Sequence, residues 1–360
     1  MPSTTAVPST TGQDVHIPGL PARKRGETAL SIIVPCFNEA KNLPEVHARL
    51  IENARKLRER HGILVEVVYI DDGSRDNTYA IAAGLPATSL DVQVLSLSRN
   101  FGKEAALTAG LHHARSGALL FMDGDGQHSA ELIERLVSHW LDDGYDVIYT
   151  AKINRKSEPV SRRLMAKVFY ALINFRARYK LPADAGDFRL LSPRAANALR
   201  QMPERNRFFK GMASWIGFKQ LRVDYEPAAR AHGKTNWNIA SLIGLSIEGL
   251  TSFSVAPLRV ASLLGLLLAA VALMFGASIL YETLVYGESV PGYPSMAVGL
   301  MVLGGVQLMM IGVMGEYIGK ILSEQKARPV YFVADHHTRS AYESAHGNTT
   351  QHAVRPDAAE

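Results

Sequence analysis

Apolar residues in the first half of this chain come in short runs, each ending on a polar cluster. Leu30–Pro35, Leu64–Ile70, Val92–Leu97, Ala118–Met122 and Val147–Tyr149 read as buried strands. Between them the period becomes helical. The stretch from Asn38 to about Arg60 places Leu43, Val46, Leu50 and Leu57 near helical spacing; Asp76–Ala83, Lys103–Ala114 and Ala130–Leu141 follow suit. Strands alternating with helices predict an α/β fold with a mostly parallel sheet covered on both faces. Ligands of such sheets bind beyond the carboxyl ends of the strands. The polar clusters fall there: Phe37-Asn38-Glu39, Asp71-Asp72-Gly73-Ser74, Ser98-Arg99-Asn100 and Asp123-Gly124-Asp125.

The second half follows another pattern. Val260–Tyr281 holds 22 residues without a charge and Ser289–Gly315 holds 27. A bilayer-spanning helix needs about 20 apolar residues, while buried core helices of this kind run to roughly 10–14. Two spans are expected, at about 258–283 and 292–318. The turn between them has no Lys or Arg, whereas Arg259 precedes the first span and Lys320, Lys326 and Arg328 follow the second. The positive-inside bias then puts both flanks in the cytoplasm and the turn outside. Arg162–Arg178 sets Leu164, Met165, Val168, Phe169, Leu172 and Ile173 against five Arg and Lys, so it lies in a membrane interface or packs on its own domain. Ile239–Phe253 is a second amphipathic stretch leading into the first span. Residues 1–28, rich in Ser, Thr and Pro without an apolar core, read as a disordered leader and not a signal peptide. Residues 321–360 read as a cytoplasmic tail, largely disordered, with His336-His337 in solvent.

Charge changes the picture within the soluble part. Residues 31–151 carry 11 Lys and Arg against 17 Asp and Glu, whereas residues 152–234 carry 19 against 6. A segment that basic beside a membrane suits an anionic lipid surface or a phosphorylated lipid. Nucleic acid is disfavoured, since no helix-turn-helix, zinc or aromatic RNA-binding signature accompanies the charge. Cys36 is the only cysteine, which leaves no internal disulfide and fits a reducing compartment. No Gly-x-Gly-x-x-Gly follows the first strand and no Walker motif is present, so a nicotinamide enzyme and a P-loop NTPase are both disfavoured. Asp123 and Asp125, with glycine between, can turn toward one hard cation that sits on substrate phosphates. Taken alone, the fragment is equally well a surface turn.

Taken together, the segments IIVPCFNEAKNL, VVYIDDGSRDNT, SLSRNFGKEAALTAGL, DGDGQH, AGDFRLLSPR, PERNRFFKGMASWIGF, RAHGKTNW and SFSVAPLR, followed by a two-span hairpin, cover about residues 30–320. In this order they resemble family 2 glycosyltransferases of GT-A fold, more closely the polyprenyl-phosphate glycosyltransferases, relatives of bactoprenol glucosyltransferase and dolichol-phosphate mannose synthase. The resemblance implies a GT-A domain over 29–234, a juxtamembrane amphipathic helix over 235–256 and a transmembrane hairpin over 257–320. It implies an inverting transfer from a nucleotide-sugar, UDP-glucose first, to undecaprenyl phosphate at the cytoplasmic face of a bacterial inner membrane. Donors with UDP-linked amino- or formamido-arabinose, UDP-GalNAc or GDP-mannose stand behind it, and products feed lipopolysaccharide and other cell-envelope glycans. Pro35, Phe37, Glu39, Asp72, Asn100 and Lys103 would serve the nucleotide-sugar, with Asp72 accepting from the base. Asp123, Asp125 and Gln127 would hold Mg2+ or Mn2+, and Asp187 with Asp125 would be catalytic. Arg189, Ser192, Arg205, Arg207, Lys210, Arg230 and Lys234 would meet donor or acceptor phosphates, Arg230, Gly233 and Lys234 on a closing loop. A homo-oligomer, a tetramer, is implied as well. For Asp187 the alternatives are a base, an orienting group and a structural ion pair. A polysaccharide synthase is disfavoured by the two spans and the lack of Gln-x-x-Arg-Trp. The reading from another class is a non-catalytic nucleotide-sugar-binding scaffold.

Overall fold

The computed structural model describes residues 29–124, 130–152, 174, 185–205, 207–225, 256–286 and 292–341. The leader, Asp125, Gln127, the basic 162–178 stretch apart from Asn174, Arg230, Gly233, Lys234 and the 239–253 stretch lie outside them.

The first half alternates as its pattern predicts: β1 (Ala29–Cys36), α1 (Leu43–His61), β2 (Leu64–Asp71), α2 (Thr78–Gly84), β3 (Asp91–Leu97), α3 (Lys103–His113), β4 (Ala118–Phe121), α4 (Ala130–Leu141) and β5 (Val147–Lys152). Then come β6 (Ala185–Leu191), α5 (Pro193–Arg200), α6 (Phe209–Trp215), β7 (Gln220–Tyr225), two long helices α7 (Ala256–Tyr286) and α8 (Tyr293–Gln325), and β8 (Val333–Arg339). One sheet joins all the strands in the order β7-β5-β6-β4-β1-β2-β3-β8. Its centre is parallel, and Ile32, Ile33, Val67 and Val68 are fully buried there, as strands covered on both faces require.

Two strands run against the rest and both bear on function. β6 is antiparallel to β4 and to β5, with Arg189 opposite Phe121 and Tyr149. A reversed strand brings its first residues, not its last, to the carboxyl edge of the parallel strands. Asp187, two positions before Arg189, therefore rises to the level of Asp123 just beyond β4.

The other reversed strand corrects an expectation. Val333–Arg339 was assigned to a disordered tail, yet it forms β8, antiparallel to β3, from Val333 opposite Leu97 to Arg339 opposite Val92. Its sequence carries no apolar alternation, so nothing local announces it. Long-range polar contacts hold it instead. His336 Nε2 lies 3.1 Å from Gln93 Oε1, and Ser340 Oγ and Ala341 N–H each donate to Asp91 Oδ1 at 3.0 Å. Asp91 belongs to a buried ion network at the amino edge of the sheet. There Arg115 bonds Glu66 at 2.6 Å and Asp91 at 2.7 Å, and Ser31 Oγ donates to Glu66 at 2.5 Å.

α7 and α8 contain the segments Val260–Val285 and Val298–Gln325, long and apolar enough to cross a membrane, and neither window is buried in the protein. Leu273 is 75% exposed and Met301 77%. Such faces are stable only in contact with lipid or another apolar surface, which suggests association with a membrane. α8 then delivers the chain to the carboxyl edge of the sheet, where β8 begins.

Removing one member of a buried charge network leaves its partners uncompensated, at a cost of about 3–5 kcal/mol. Arg115→Met is expected to lower the denaturant midpoint accordingly, whereas Arg55→Met, which breaks an exposed helix-surface pair, leaves it unchanged. Equal midpoints for the two variants would show that the Glu66 network does not hold the sheet.

Candidate active site

β1 and β2 end side by side, Cys36 opposite Asp71, so the loops they release are neighbours and are stitched together. The N–H groups of Asn38, Glu39 and Arg75 donate to Ser74 Oγ, Thr78 Oγ1 and Asn38 Oδ1, each at 2.9 Å. Asn38 does this at φ 57°, a left-handed conformation that asparagine tolerates better than most residues. Gly73 has φ 65°, and a Cβ there would lie 2.5 Å from the Arg99 carbonyl carbon and 2.6 Å from Asn100 N. Glycine is what lets the β3–α3 loop close against the β2–α2 loop. Pro35, Phe37 and Glu39 stand at the resulting mouth, with Phe37 43% exposed, and Asn100 is exposed on the third loop.

Asp72 is engaged by the protein's own backbone. It is buried, and its two oxygens accept the N–H groups of Phe101 at 2.7 Å and Gly102 at 2.9 Å. Burial pushes its pKa up against those bonds. The carboxylate thus braces the loop that starts α3.

The chemistry concentrates one step further along the edge. Lys103, the first residue of α3, places Nζ 2.5 Å from Asp123 Oδ1 and 2.6 Å from Asp187 Oδ2. Lys210 Nζ, from α6, lies 3.1 Å from Asp187 Oδ1. Four side chains from four elements therefore meet, each still a quarter to two-fifths exposed. Burial works to raise the Asp187 pKa, but the charges of Lys103 and Lys210, the Lys103 hydrogen bond and Arg189 outweigh it and hold the carboxyl well below the usual range. Burial likewise disfavours the Lys103 ammonium, and Asp187 and Asp123 more than reverse that. Asp187 is an ionised counter-charge at neutral pH and a weak base, which favours the orienting and ion-pair alternatives over a base.

The expected phosphate residues divide. Lys210 is in the cluster. Arg189 is buried within β6, where its guanidinium donates to the Gly186 carbonyl at 2.9 Å and the Phe209 carbonyl at 3.3 Å, so it braces backbone around Asp187. Ser192 lies at the opposite edge of the sheet: it donates to Asp146 at 2.8 Å and accepts from Ala195 N–H at 3.3 Å as the cap of α5. Arg205 donates to the carbonyls of Arg328 and Ala327 at 3.0 and 3.1 Å, and Arg207 to those of Glu204 and Met202 at 3.0 and 2.9 Å. The described contacts of these four are to the protein's own backbone and to Asp146, set by the reversed β6 and the returning C-terminal segment, neither of which has a local signal.

Glu104 was not anticipated. Its only sequence signal, an acid in a first helical turn, reads as ordinary helix-end electrostatics. In the fold its Oε2 accepts the Phe209 N–H at 2.9 Å, which caps α6 and so fixes the helix that carries Lys210. Burial pushes the Glu104 pKa up to about 7, with Asp187 adding to the rise, and the Phe209 bond, Lys103 and Arg189 opposing it.

The description Glycosyl transferase family 2 matches residues 31–200. An uncharacterised glycosyltransferase of Synechocystis sp. is 39% identical over 85% of this chain and 95% of its own. A prophage bactoprenol glucosyl transferase homolog of Escherichia coli is 40% identical over 84% of this chain and 98% of its own. A bactoprenol glucosyl transferase of Shigella phage SfII is 40% identical over 86% and 98%. The chain belongs to glycosyl transferase family 2. It is a glycosyltransferase, and its sheet, parallel at the centre with a reversed strand beside β4, is the GT-A type of α/β architecture the motifs implied. In this family 2 glycosyltransferase the match ends at α5, so α6, Lys210 and the two long helices lie beyond it.

A carboxyl whose folded pKa lies near 7, above the 4.5 of an ordinary glutamate, costs the fold stability as pH rises through that window. Glu104→Gln keeps an acceptor for Phe209 N–H and removes the ionisation. The variant of this glycosyltransferase is expected to melt above wild type at pH 8 and to lose that advantage at pH 5, measured in detergent. An identical offset at both values would show that Glu104 does not titrate there.

Proposed function

We propose that this chain transfers a sugar from a nucleotide-sugar, UDP-glucose first, to a polyprenyl phosphate, with inversion, at the cytoplasmic face of a bacterial inner membrane. The observation that carries the reading is the Lys103–Asp187–Lys210 cluster beside Asp123, at the sheet edge to which α8 returns. Relatives whose names specify bactoprenol and a glucosyl group support the acceptor and the donor sugar.

The residues suit a single displacement. The bond from the sugar carbon to the donor diphosphate breaks, its electron pair leaving with the diphosphate, as a phosphate oxygen of the lipid bonds the opposite face. That oxygen is already anionic near neutral pH, so no proton need be removed, consistent with an Asp187 that is a poor base. Lys103 supplies positive charge where negative charge grows on the leaving diphosphate, Lys210 receives the acceptor phosphate, and Asp187 fixes both ammonium groups in place before reaction. Asp123 and Asp187 already converge on one cation, the Lys103 ammonium, so oxygen donors of the type Mg2+ and Mn2+ prefer are in place. Asp123, with Asp125 and Gln127 from outside the described residues, would hold that ion, whose chemistry when bound would be to neutralise charge on the leaving diphosphate. Pro35, Phe37, Glu39 and Asn100 would line the nucleoside, and Arg230 with Lys234 would close over it. Both termini would be cytoplasmic, with α7 and α8 crossing the bilayer. A homo-oligomer belongs to the same reading: a Cβ at Gly299, Gly304, Gly305 or Gly312 would meet nothing within 4 Å beyond the helix's own backbone, leaving room for close helix approach.

Purified protein with Mn2+ and undecaprenyl phosphate is expected to move label from UDP-glucose into the lipid phase, faster than from UDP-GalNAc, UDP-arabinose derivatives or GDP-mannose. No transfer from any of them would defeat the proposal, while a faster rival donor would replace only the sugar. Asp125→Asn should abolish turnover yet fold and insert normally; wild-type turnover in that variant would remove the metal assignment.

A further inference from the structure

Arg205 touches neither the lysine cluster nor Asp187, yet it joins the element that carries Lys210 to the end of the second long helix. The joint is double. Both oxygens of Glu324, in the last turn of α8, accept the Arg205 backbone N–H, at 3.0 and 3.1 Å. In return the Arg205 guanidinium donates to the carbonyls of Ala327 and Arg328 just past the helix end. Ala327 holds φ 52°, a left-handed conformation that a Cβ disfavours and that surrounding contacts must maintain. Five residues after Arg205, Lys210 bonds Asp187, and Phe209 between them is pinned by Glu104. Arg207 N–H bonds the Arg205 carbonyl at 2.9 Å, so little slack separates clip from lysine.

We propose that Arg205 is a positioning residue: by clipping the segment before α6 to the end of the membrane helix, it sets Lys210 at the height where a membrane-borne phosphate arrives. The inference rests on the reading that Lys210 meets the acceptor phosphate, and it reassigns Arg205 from touching that phosphate to placing the residue that does.

A double-mutant cycle on the full chain in nanodiscs tests it, with kcat/KM for undecaprenyl phosphate as the readout. Arg205→Gln is expected to lower that value about tenfold and Lys210→Met about a hundredfold, with the double variant no worse than Lys210→Met alone. UDP binding by calorimetry stays within about twofold of wild type in all three, because the donor side is untouched. Glu324→Ala removes the acceptor of the Arg205 N–H from the membrane side and serves if Arg205→Gln folds poorly; it too should be non-additive with Lys210→Met. Multiplying losses in the double variants, or a wild-type rate in Arg205→Gln, would overturn the proposal. A wild-type protein that glycosylates no lipid phosphate would instead defeat the function itself, and the proposal with it.

Discussion

One aspartate between two lysines organises this molecule. Asp187 can hold Lys103 and Lys210 only because β6 runs against its neighbours, because α3 begins with a lysine, and because α6 is capped from α3 by Glu104. The ion pairs are partly exposed, so each contributes little to stability alone. Their value is geometric: Lys103 and Asp187, two groups that desolvation would otherwise disfavour, are kept charged beside Asp123. A reaction that expels a diphosphate and accepts a phosphate needs fixed positive charge and no proton acceptor, and this arrangement supplies the first without the second.

The same edge of the sheet meets the long helices. Charged lipid substrates cannot leave the bilayer surface far behind, since each buried methylene is worth about 0.8 kcal/mol. A catalytic centre acting on one must be held near that surface. Here the chain leaving α8 passes Arg205, gives the Phe332 carbonyl to Ser98 N–H at 2.9 Å and continues down β3 as β8. It thus touches both the loop leading to Lys103 and the segment leading to Lys210.

Much of the fold was legible because β1 to β5 and α1 to α4 are local, periodic elements whose apolar residues face a covered sheet. The two long apolar helices were legible from uncharged length. What escaped were elements defined by distant partners. β8 has the sequence VADHHTR, and only Gln93, Asp91 and the β3 edge make it a strand. Arg189, Arg205 and Arg207 stand in a basic segment that invites a phosphate reading, and composition cannot tell an arginine facing a ligand from one gripping a carbonyl. Asp72 is similar: a strand-end acid in a glycine-rich turn suits a base contact equally well, and the N–H groups it accepts belong to a loop about 30 residues away. Lys103, Asp123 and Asp187 were each singled out, but their mutual contact required the reversal of β6.

The central claim is a direct displacement at a site whose aspartate stays ionised and forms no bond to the sugar. The anomeric configuration of the lipid-linked product, read by proton NMR after reaction with an α-linked nucleotide-sugar, tests that most directly. The account predicts the β-linked sugar phosphate as the initial product. An α-linked product, or a glycosyl ester trapped on Asp187, would contradict it.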